Sequence, residues 1–196
     1  NNFIRRPAAC WLSMSRPRDS CSLNVELKAR LPDLAQARAV ARRLATRPAQ
    51  KLSQRDTYFH CDTGRFKLRQ IDGEQAQLIW YQRASQQQAT SSHYMLVEIP
   101  RPEGMMKLLA ATLGIRAVVE KQREVYFYQN VRIHLDQVQS LGTFLEFEAV
   151  LEHADQIPQG HQQLDFLRRQ FSIEDKDLLE GSYGEMLEQH GDQELS

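Results

Sequence analysis

The most regular pattern in this chain is an alternation of apolar and charged residues. In the stretch LNVELKARL at residues 23–31, leucine, valine and alanine occupy every second position, and asparagine, glutamate, lysine and arginine lie between them. A period of two is the pattern of a β-strand with one apolar face and one polar face. The stretch therefore predicts a strand, and its charged face must either meet solvent or line a cavity.

Comparable segments recur along the chain as far as residue 151. They predict eight strands, at residues 23–31, 55–59, 64–70, 77–83, 93–99, 118–128, 131–138 and 143–151. The turn sequence Asp62-Thr63-Gly64 is expected to join the second and third strands as a hairpin. Segments with helical periodicity predict helices at residues 33–46, 103–113, 162–171 and 176–189. Asp33 is expected to cap the first helix and Gly114 to end the second.

The length of 196 residues suits one domain of ordinary size. We expect that domain at residues 23–190, with a flexible basic leader at residues 1–22 and a frayed tail at residues 191–196. The leader is rich in arginine, serine and alanine and has no acid before Asp19, which also suits a mitochondrial presequence. Pro7 and Pro17 would interrupt an amphipathic helix there, so a disordered leader and a cytoplasmic location are favoured.

Composition and charge exclude several classes of partner. Basic and acidic residues number 25 each, so no overall field attracts nucleic acid or a membrane surface. Cys10, Cys21 and Cys61 are odd in number and have no metal-ligand spacing, which indicates reduced thiols in an intracellular protein. No segment has the apolar length needed to cross a bilayer. The expected partner is a small molecule, bound by a monomer or a homodimer.

The charged faces of the predicted strands carry like charges two residues apart. Lys121 with Arg123 and Glu146 with Glu148 are examples. Like charges side by side destabilise a sheet unless an opposite charge compensates them. A sheet with one solvated face would explain each strand taken alone. However, about eight antiparallel strands tend to close on themselves. The expected fold is therefore α+β: an eight-stranded antiparallel closed β-tunnel with its helices packed outside.

When the sheet closes, its charged face lines the lumen of the tunnel. It would contain the cations Lys28, Lys67, Arg69, Arg83, Lys121, Arg123 and Arg132 and the acids Glu26, Asp136, Glu146 and Glu148. Buried charges are costly unless they are paired or meet a ligand. Arginine and lysine bind phosphate oxygens, and carboxylates hold Mg²⁺ or Mn²⁺. A triphosphate carrying a divalent metal ion satisfies both sets of residues.

The motifs on these strands resemble, in order, those of the CYTH domain. This is the domain of the triphosphate tunnel metalloenzymes, named for class IV adenylyl cyclase and thiamine triphosphatase. The resemblance covers residues 23–187 and is carried by the motifs VELK, DTYF, GRFKLR, LIWYQR, VEKQR, RIHLD and LGTFLEFE. It implies an eight-stranded closed tunnel that binds triphosphate together with Mg²⁺ or Mn²⁺.

The resemblance also implies roles for the charged residues. Metal binding falls to Glu26, Glu146 and Glu148, and substrate binding falls to Lys28, Lys67, Arg69, Arg83, Lys121, Arg123 and Arg132. Lys121 and Asp136 are the candidate catalytic residues. Lys121 would protonate the leaving oxygen or clamp a phosphate, and Asp136 would orient the attacking group or form an ion pair with a lysine.

Two positions depart from the family pattern, and one residue is left without a role. Asn24 stands where many members have a first glutamate, which removes one negative charge from the metal side. No basic residue lies near Thr90, where the family pattern leads us to expect one. His134 shares a strand face with Arg132 and Asp136, and we expect it to contribute a hydrogen bond and nothing more.

The predicted activity is metal-dependent hydrolysis of inorganic triphosphate, thiamine triphosphate or a nucleoside triphosphate. The alternative is a class IV-type adenylyl cyclase, in which the ribose 3′-hydroxyl of ATP replaces water and the products are cyclic AMP and pyrophosphate. No adenine pocket is specified by the sequence, so hydrolysis is the less demanding prediction. A third hypothesis, which Asn24 suggests, is a non-catalytic polyphosphate- or nucleotide-binding protein.

Overall fold

The computed structural model describes residues 22–73, 75–83 and 89–194, with the backbone alone described at positions 22, 83 and 190–194. Most of the predicted leader lies outside the described residues, as does the loop at positions 84–88. The strands are β1 Ser22–Arg30, β2 Gln50–Phe59, β3 Arg65–Ile71, β4 Gln75–Arg83, β5 Thr90–Glu98, β6 Ile115–Tyr128, β7 Val131–Val138 and β8 Gly142–Leu151. The α-helices are α1 Leu34–Leu44, α2 Pro102–Leu113, α3 Ile157–Gln170 and α4 Tyr183–Glu194.

The eight strands form a closed antiparallel barrel. Around the barrel their order is β1-β5-β4-β3-β2-β6-β7-β8, and β8 pairs with β1 to complete the ring. Successive side chains of a strand point to opposite faces of the sheet. In a closed barrel one of these faces lines the lumen and the other is the outer wall. The predicted closed tunnel is therefore confirmed.

The main hydrophobic core lies outside the barrel, between its wall and the helices. Val25, Leu27 and Ala29 of β1 are each 5% exposed or less, and they pack in one cluster with Ala41 of α1 and Leu164 of α3. The apolar positions of the LNVELKARL stretch thus face the helices. Its charged positions are turned into the barrel.

The covering helices fit the wall through local features of their sequences. The Asp33 side chain accepts a hydrogen bond of 2.9 Å from the Gln36 backbone N–H and caps α1, as predicted. In α3, Gly160 lies so close to β1 and β8 that a Cβ placed on it would meet Val25 at 3.2 Å and Leu151 at 3.4 Å. The missing side chain lets this helix approach the barrel.

The helix α2 covers another part of the outer wall. Its residues Met105, Met106 and Leu109 pack over Phe59 and Leu68 of β2 and β3. None of the helices in the described residues is long and apolar enough to cross a membrane.

Three elements start five or more residues away from their predicted starts. The helix predicted at residues 176–189 is wrong in its first half: a short 3₁₀ helix covers Asp175–Asp177, Leu178 bridges to Ala29, and Gly181 has a φ of +76°. The helix α3 starts at Ile157 and the strand β2 starts at Gln50, each five residues before its predicted start. The polar start of β2 carries no strand pattern, and its pairing with β6 makes it a strand.

The helix α4 packs against one end of the barrel. Tyr183 at its start lies in an apolar cluster with the inward-facing residues Tyr58, Val119 and Phe144. Ion pairs join this helix to the barrel strands, Arg65 with Glu185 at 2.9 Å and Arg116 with Glu188 at 2.6 Å. The lumen is therefore bounded by protein at this end.

Candidate active site

The strand register brings the predicted charged residues onto the inner face of the barrel. Glu26 is paired with Glu148 across β1 and β8, and Glu148 is paired in turn with Arg132 across β8 and β7. The lumen side chains of Lys28, Lys67, Lys121 and Arg123 are each 7% exposed or less. These residues come from five different strands and are gathered only because the barrel closes.

The two acids of β8 are held by arginines. Arg123 donates a hydrogen bond of 2.9 Å to Glu146, and Arg132 donates one of 3.2 Å to Glu148. Burial alone would raise the pKa of Glu146, but Lys28, His134 and Arg123 outweigh that effect and hold the pKa well below its usual value. Burial would also raise the pKa of Glu148, but Arg132, His134 and the hydrogen bond from Asn24 together lower it. Both acids are therefore carboxylates at neutral pH.

The oxygen donors on this wall suit a hard divalent ion. The Asn24 Nδ2 donates a hydrogen bond of 2.8 Å to Glu148, whereas the buried Asn24 Oδ1 has no hydrogen-bond partner among the residues that the structure describes. Leaving such an acceptor unpaired costs about 1–3 kcal/mol, which binding of a cation at this oxygen would offset. Carboxylate and amide oxygens are ligands that Mg²⁺ and Mn²⁺ prefer. Asn24 thus removes a charge from the metal side and keeps an oxygen there.

The carboxylates are not arranged as a finished metal site. Within the part of the chain that the structure describes, no group of three or more His, Cys, Asp or Glu side chains is placed to hold a metal ion. Glu146 and Glu148 are engaged by Arg123 and Arg132, as described above. An ion bound here would have to share these carboxylates with the arginines or displace them.

A second charged cluster surrounds Asp56 on the opposite side of the strand ring. Asp56 has no exposed surface and accepts hydrogen bonds from Lys67 at 2.9 Å, from Arg69 at 2.7 and 2.8 Å, and from Lys121 at 3.2 Å. Sequence reasoning assigned Asp56 no role. The signal was present, because a hairpin at Asp62-Thr63-Gly64 places Asp56 opposite Arg69.

The two lysines of this cluster have lowered pKa values. Burial and the neighbouring Arg69 lower the pKa of Lys67 to about 8, against the opposing effect of Asp56. Burial and Arg123 hold the pKa of Lys121 well below its ordinary value. Small changes in the charge around Lys67 would therefore change its protonation at a pH near 8.

Asp136 forms an ion pair with an arginine. Arg123 donates two hydrogen bonds to it, of 2.7 and 2.6 Å, and the Tyr183 hydroxyl donates a third of 2.9 Å. Burial alone would raise the pKa of Asp136, but Arg123 outweighs it and lowers the pKa to about 2. The predicted pairing with a lysine is thus replaced by one with Arg123, and Asp136 does not accept a proton near neutral pH.

Two residues that the sequence left without a role belong to the site. His134 lies with Nδ1 3.5 Å from Glu146 and Nε2 3.8 Å from Glu148, and burial and Arg123 lower its pKa. The Tyr183 ring lies under the Lys28 ammonium, whose nitrogen is 4.0 Å from the ring centroid. The strand pattern placed His134 on the correct face, whereas no sequence signal located Tyr183.

The remaining predicted positions are on strands β4 and β5. Arg83 is paired through its backbone with Ser92, which is paired with Asn24, but the Arg83 side chain lies outside the described residues. Thr90 is paired with Glu26, so the position that lacks a basic residue is beside the carboxylate wall.

Comparison with known proteins identifies the same family as the sequence motifs. The CYTH domain profile matches residues 22–183, and no curated protein sequence matches the chain. The PH1012 protein of Pyrococcus horikoshii has a similar structure, with a TM-score of 0.73 and 20% identity over 83% of this chain and 98% of that chain. A candidate adenylate cyclase from Vibrio parahaemolyticus has a TM-score of 0.68 and 18% identity over 86% of this chain and 99% of that one.

A third similar structure comes from Hippeastrum. The candidate adenylyl cyclase HpAC1 from Hippeastrum, which has a dominant triphosphatase activity, has a TM-score of 0.54 and 12% identity over 78% of this chain and 88% of that one. At these identities the three structures establish a common fold.

Proposed function

Because this chain belongs to the CYTH domain family, we propose that it is a metal-dependent hydrolase of triphosphate substrates. One observation carries the proposal. The closed barrel gathers Lys67 and Arg69 of β3 and Lys121 of β6 around Asp56, and it places the carboxylates Glu146 and Glu148 on β8, which lies across the ring from β3. A triphosphate with a bound divalent ion has the complementary charges, with phosphate oxygens for the cations and a metal for the acids.

Members of this family generally depend on divalent metal ions. In this chain Asn24, Glu26, Glu146 and Glu148 would hold Mg²⁺ or Mn²⁺. The bound ion would draw negative charge from the phosphate oxygens. Arg123 and Arg132, which pair with Glu146 and Glu148, would then be able to bind phosphate oxygens.

The cations around Asp56 would act on the charge that moves during hydrolysis. The oxygen of water forms a bond to the terminal phosphorus while the bridging phosphorus–oxygen bond breaks, and negative charge passes to the departing diphosphate. Lys67, Arg69 and Lys121 would stabilise that charge, and a buried cavity makes each contact stronger than it would be in water. Asp136 would fix the orientation of Arg123 through its two hydrogen bonds.

Cyclisation of ATP is the second candidate reaction. The Vibrio parahaemolyticus neighbour is named as a candidate adenylate cyclase, and the same tunnel would serve if the ribose 3′-hydroxyl replaced water. In this barrel Tyr81 is paired with Tyr94 on the inner face, where aromatic rings can stack on a base. Hydrolysis needs no base recognition and is therefore the reaction we propose.

A substrate screen tests the proposal. The purified protein is incubated with inorganic triphosphate, thiamine triphosphate or ATP and either Mg²⁺ or Mn²⁺, and phosphate, pyrophosphate and cyclic AMP are measured. We expect phosphate release that stops when the metal is chelated. Cyclic AMP with pyrophosphate would replace hydrolysis by cyclisation. Tight triphosphate binding without a divalent ion and without turnover would reject both and favour a binding protein.

A further inference from the structure

Asp56 is the meeting point of three cations from two neighbouring strands. Arg69 donates to both of its carboxylate oxygens, and Lys67 and Lys121 donate to the same one, Oδ2. Lys121 is 65 positions away along the chain, so only the pairing of β2 with β6 brings it to this acid. No surface of Asp56 is exposed. Both carboxylate oxygens therefore accept hydrogen bonds from these cations and are shielded from solvent.

The charges around the two lysines are mostly positive. Arg69 of β3 and Arg123 of β6 lower their pKa values, and Asp136 of β7 acts in the opposite direction on Lys121. The uncharged neighbours are tyrosines: Tyr58 of β2 and Tyr81 of β4 lie beside Lys67, and Tyr183 of α4 lies beside Lys121. Asp56 is thus the acid that both lysines share.

Loss of this one acid would have a specific chemical consequence. A buried ammonium that lacks a counter-ion loses its proton, because burial and neighbouring cations both penalise the charged form. Arginine does not respond in this way, since its guanidinium stays protonated in proteins. Lys67 and Lys121 would therefore lose their protons at a lower pH than they do beside Asp56, and a neutral amine binds phosphate oxygens weakly.

We propose that Asp56 is a positioning residue that holds Lys67 and Lys121 at one point of the tunnel and favours their protonated form, so that together they can bind phosphate. The identity of the ligand rests on the proposed function. The geometry of the cluster does not, because the three contacts exist in the protein by itself.

The Asp56→Asn variant tests this role. Binding of inorganic tripolyphosphate is measured by calorimetry in chelator at pH 8 and at pH 6, for the variant and for the wild type. We expect binding by Asp56→Asn to be about tenfold weaker than wild type at pH 8, and within about threefold at pH 6, where a larger share of the lysine side chains is protonated. Equal affinity at pH 8, or a loss of the same size at both pH values, would overturn the proposal.

A matched control separates this effect from the loss of any buried ion pair. Glu124→Gln removes the pair of Glu124 with Arg38, which are 2.6 Å apart on the outer side of β6. This variant is expected to bind tripolyphosphate as wild type does at both pH values. A pH-dependent loss of binding in Glu124→Gln as well would assign the effect to general destabilisation and contradict the proposal.

A second pair of variants covers the case in which Asp56→Asn does not fold. Lys121→Met and the double variant Asp56→Asn/Lys121→Met both leave one lysine at the cluster, and the double variant has the same net charge as wild type. The double variant is expected to bind tripolyphosphate more weakly than Lys121→Met at pH 8 and equally at pH 6, through Lys67. No difference at pH 8 would contradict the proposal.

The titration of the lysines gives a readout that needs no ligand. Lysine side chains labelled at Cε are followed by NMR against pH, and the signals of Lys67 and Lys121 are assigned by their methionine variants. Removal of Asp56 is expected to move the titration midpoints down by about one pH unit or more. Unmoved midpoints would refute the proposal. A wild-type protein that hydrolyses no triphosphate would refute the proposed function and leave this result standing.

Discussion

At the scale of single residues, the lumen is a set of ion pairs that already satisfy one another. Asp136 holds Arg123, and the carboxylates of β8 hold Arg123 and Arg132. Removing one member of a buried pair leaves an uncompensated charge, which costs about 3–5 kcal/mol. A ligand that enters must therefore offer new partners to both signs of charge, as a metal-bound triphosphate does.

Glu148 is the acid whose replacement best tests metal binding. Glu148→Gln keeps the size of the side chain and removes its negative charge, so we expect Mn²⁺ to bind more weakly and phosphate release to fall at least about 100-fold. Electron paramagnetic resonance of Mn²⁺ and a phosphate assay measure the two effects. Exposed Glu152, one residue beyond β8, provides the control Glu152→Gln. Unchanged Mn²⁺ binding in Glu148→Gln would exclude Glu148 as a metal ligand.

Asp136 makes the stability of the protein depend on pH in a defined direction. Its pKa is about 2 in the folded protein and about 3.9 in an unfolded chain, so its contribution to stability is complete above pH 4 and is lost as the pH falls toward 2. We expect Asp136→Asn to lower the free energy of unfolding by about 3–5 kcal/mol at pH 7, because Arg123 loses its partner. The deficit should shrink as the pH falls from 4 to 2.

Urea unfolding at a series of pH values measures this effect. Asp165→Asn, which changes an exposed acid of α3, is the control and should follow the wild-type curve. A deficit in Asp136→Asn that stays constant down to pH 2 would mean that the charge of Asp136 does not stabilise the fold.

At the scale of elements, the strands were predicted more accurately than the helices. In a strand with one face on the core, apolar and polar residues alternate, so a few successive residues show the pattern. The strand β7 was predicted with its observed bounds of Val131–Val138. The helix α4 lacks such a local pattern at its start. Its position depends on packing of Tyr183 against Phe144, whose ring centroids are 5.0 Å apart.

Two helical glycines allow a test of how closely the helices approach the barrel. A larger side chain at Gly160 must displace Val25 and Leu151, so Gly160→Leu is expected to destabilise the protein by about 1–3 kcal/mol. Nothing lies within 4 Å of a Cβ placed on Gly104 in α2, so Gly104→Ala should stabilise it by up to about 1 kcal/mol. Thermal and urea unfolding compare the two. A tolerated leucine at Gly160 would contradict the close packing of α3 on β1 and β8.

At the scale of the whole molecule, the barrel places its apolar core outside and its charges inside. Stability comes mainly from the layer between the strands and the helices, where residues such as Phe147 and Leu167 have no exposed surface. The lumen does not have to supply the main apolar core, so its charged residues can bind a ligand. Among the described residues, the inward-facing acceptors Asn24 Oδ1 and Gln54 Oε1 are buried without a hydrogen-bond partner, and a ligand in the lumen would satisfy them.

Ligand binding should stabilise the entire fold. Tripolyphosphate with Mg²⁺ at about 100 times its dissociation constant would add about 2.7 kcal/mol, because it binds the closed barrel and not the unfolded chain. For a protein of this size that corresponds to a rise in Tm of about 5–10 °C. Differential scanning fluorimetry measures the rise, with sulfate at equal ionic strength as the control. A rise no larger than that with sulfate would contradict triphosphate binding in the tunnel.

Alternation is a local property of the chain, so the strands, their two faces and most of the charged residues of the site could be predicted from the sequence. Which charges meet could be seen only in the folded barrel. Asp56 lies 65 positions from Lys121, and Asn24 lies 124 positions from Glu148. Those contacts depend on the order in which the strands close the barrel, and the order is decided by packing of the outer core, which no short stretch of sequence contains.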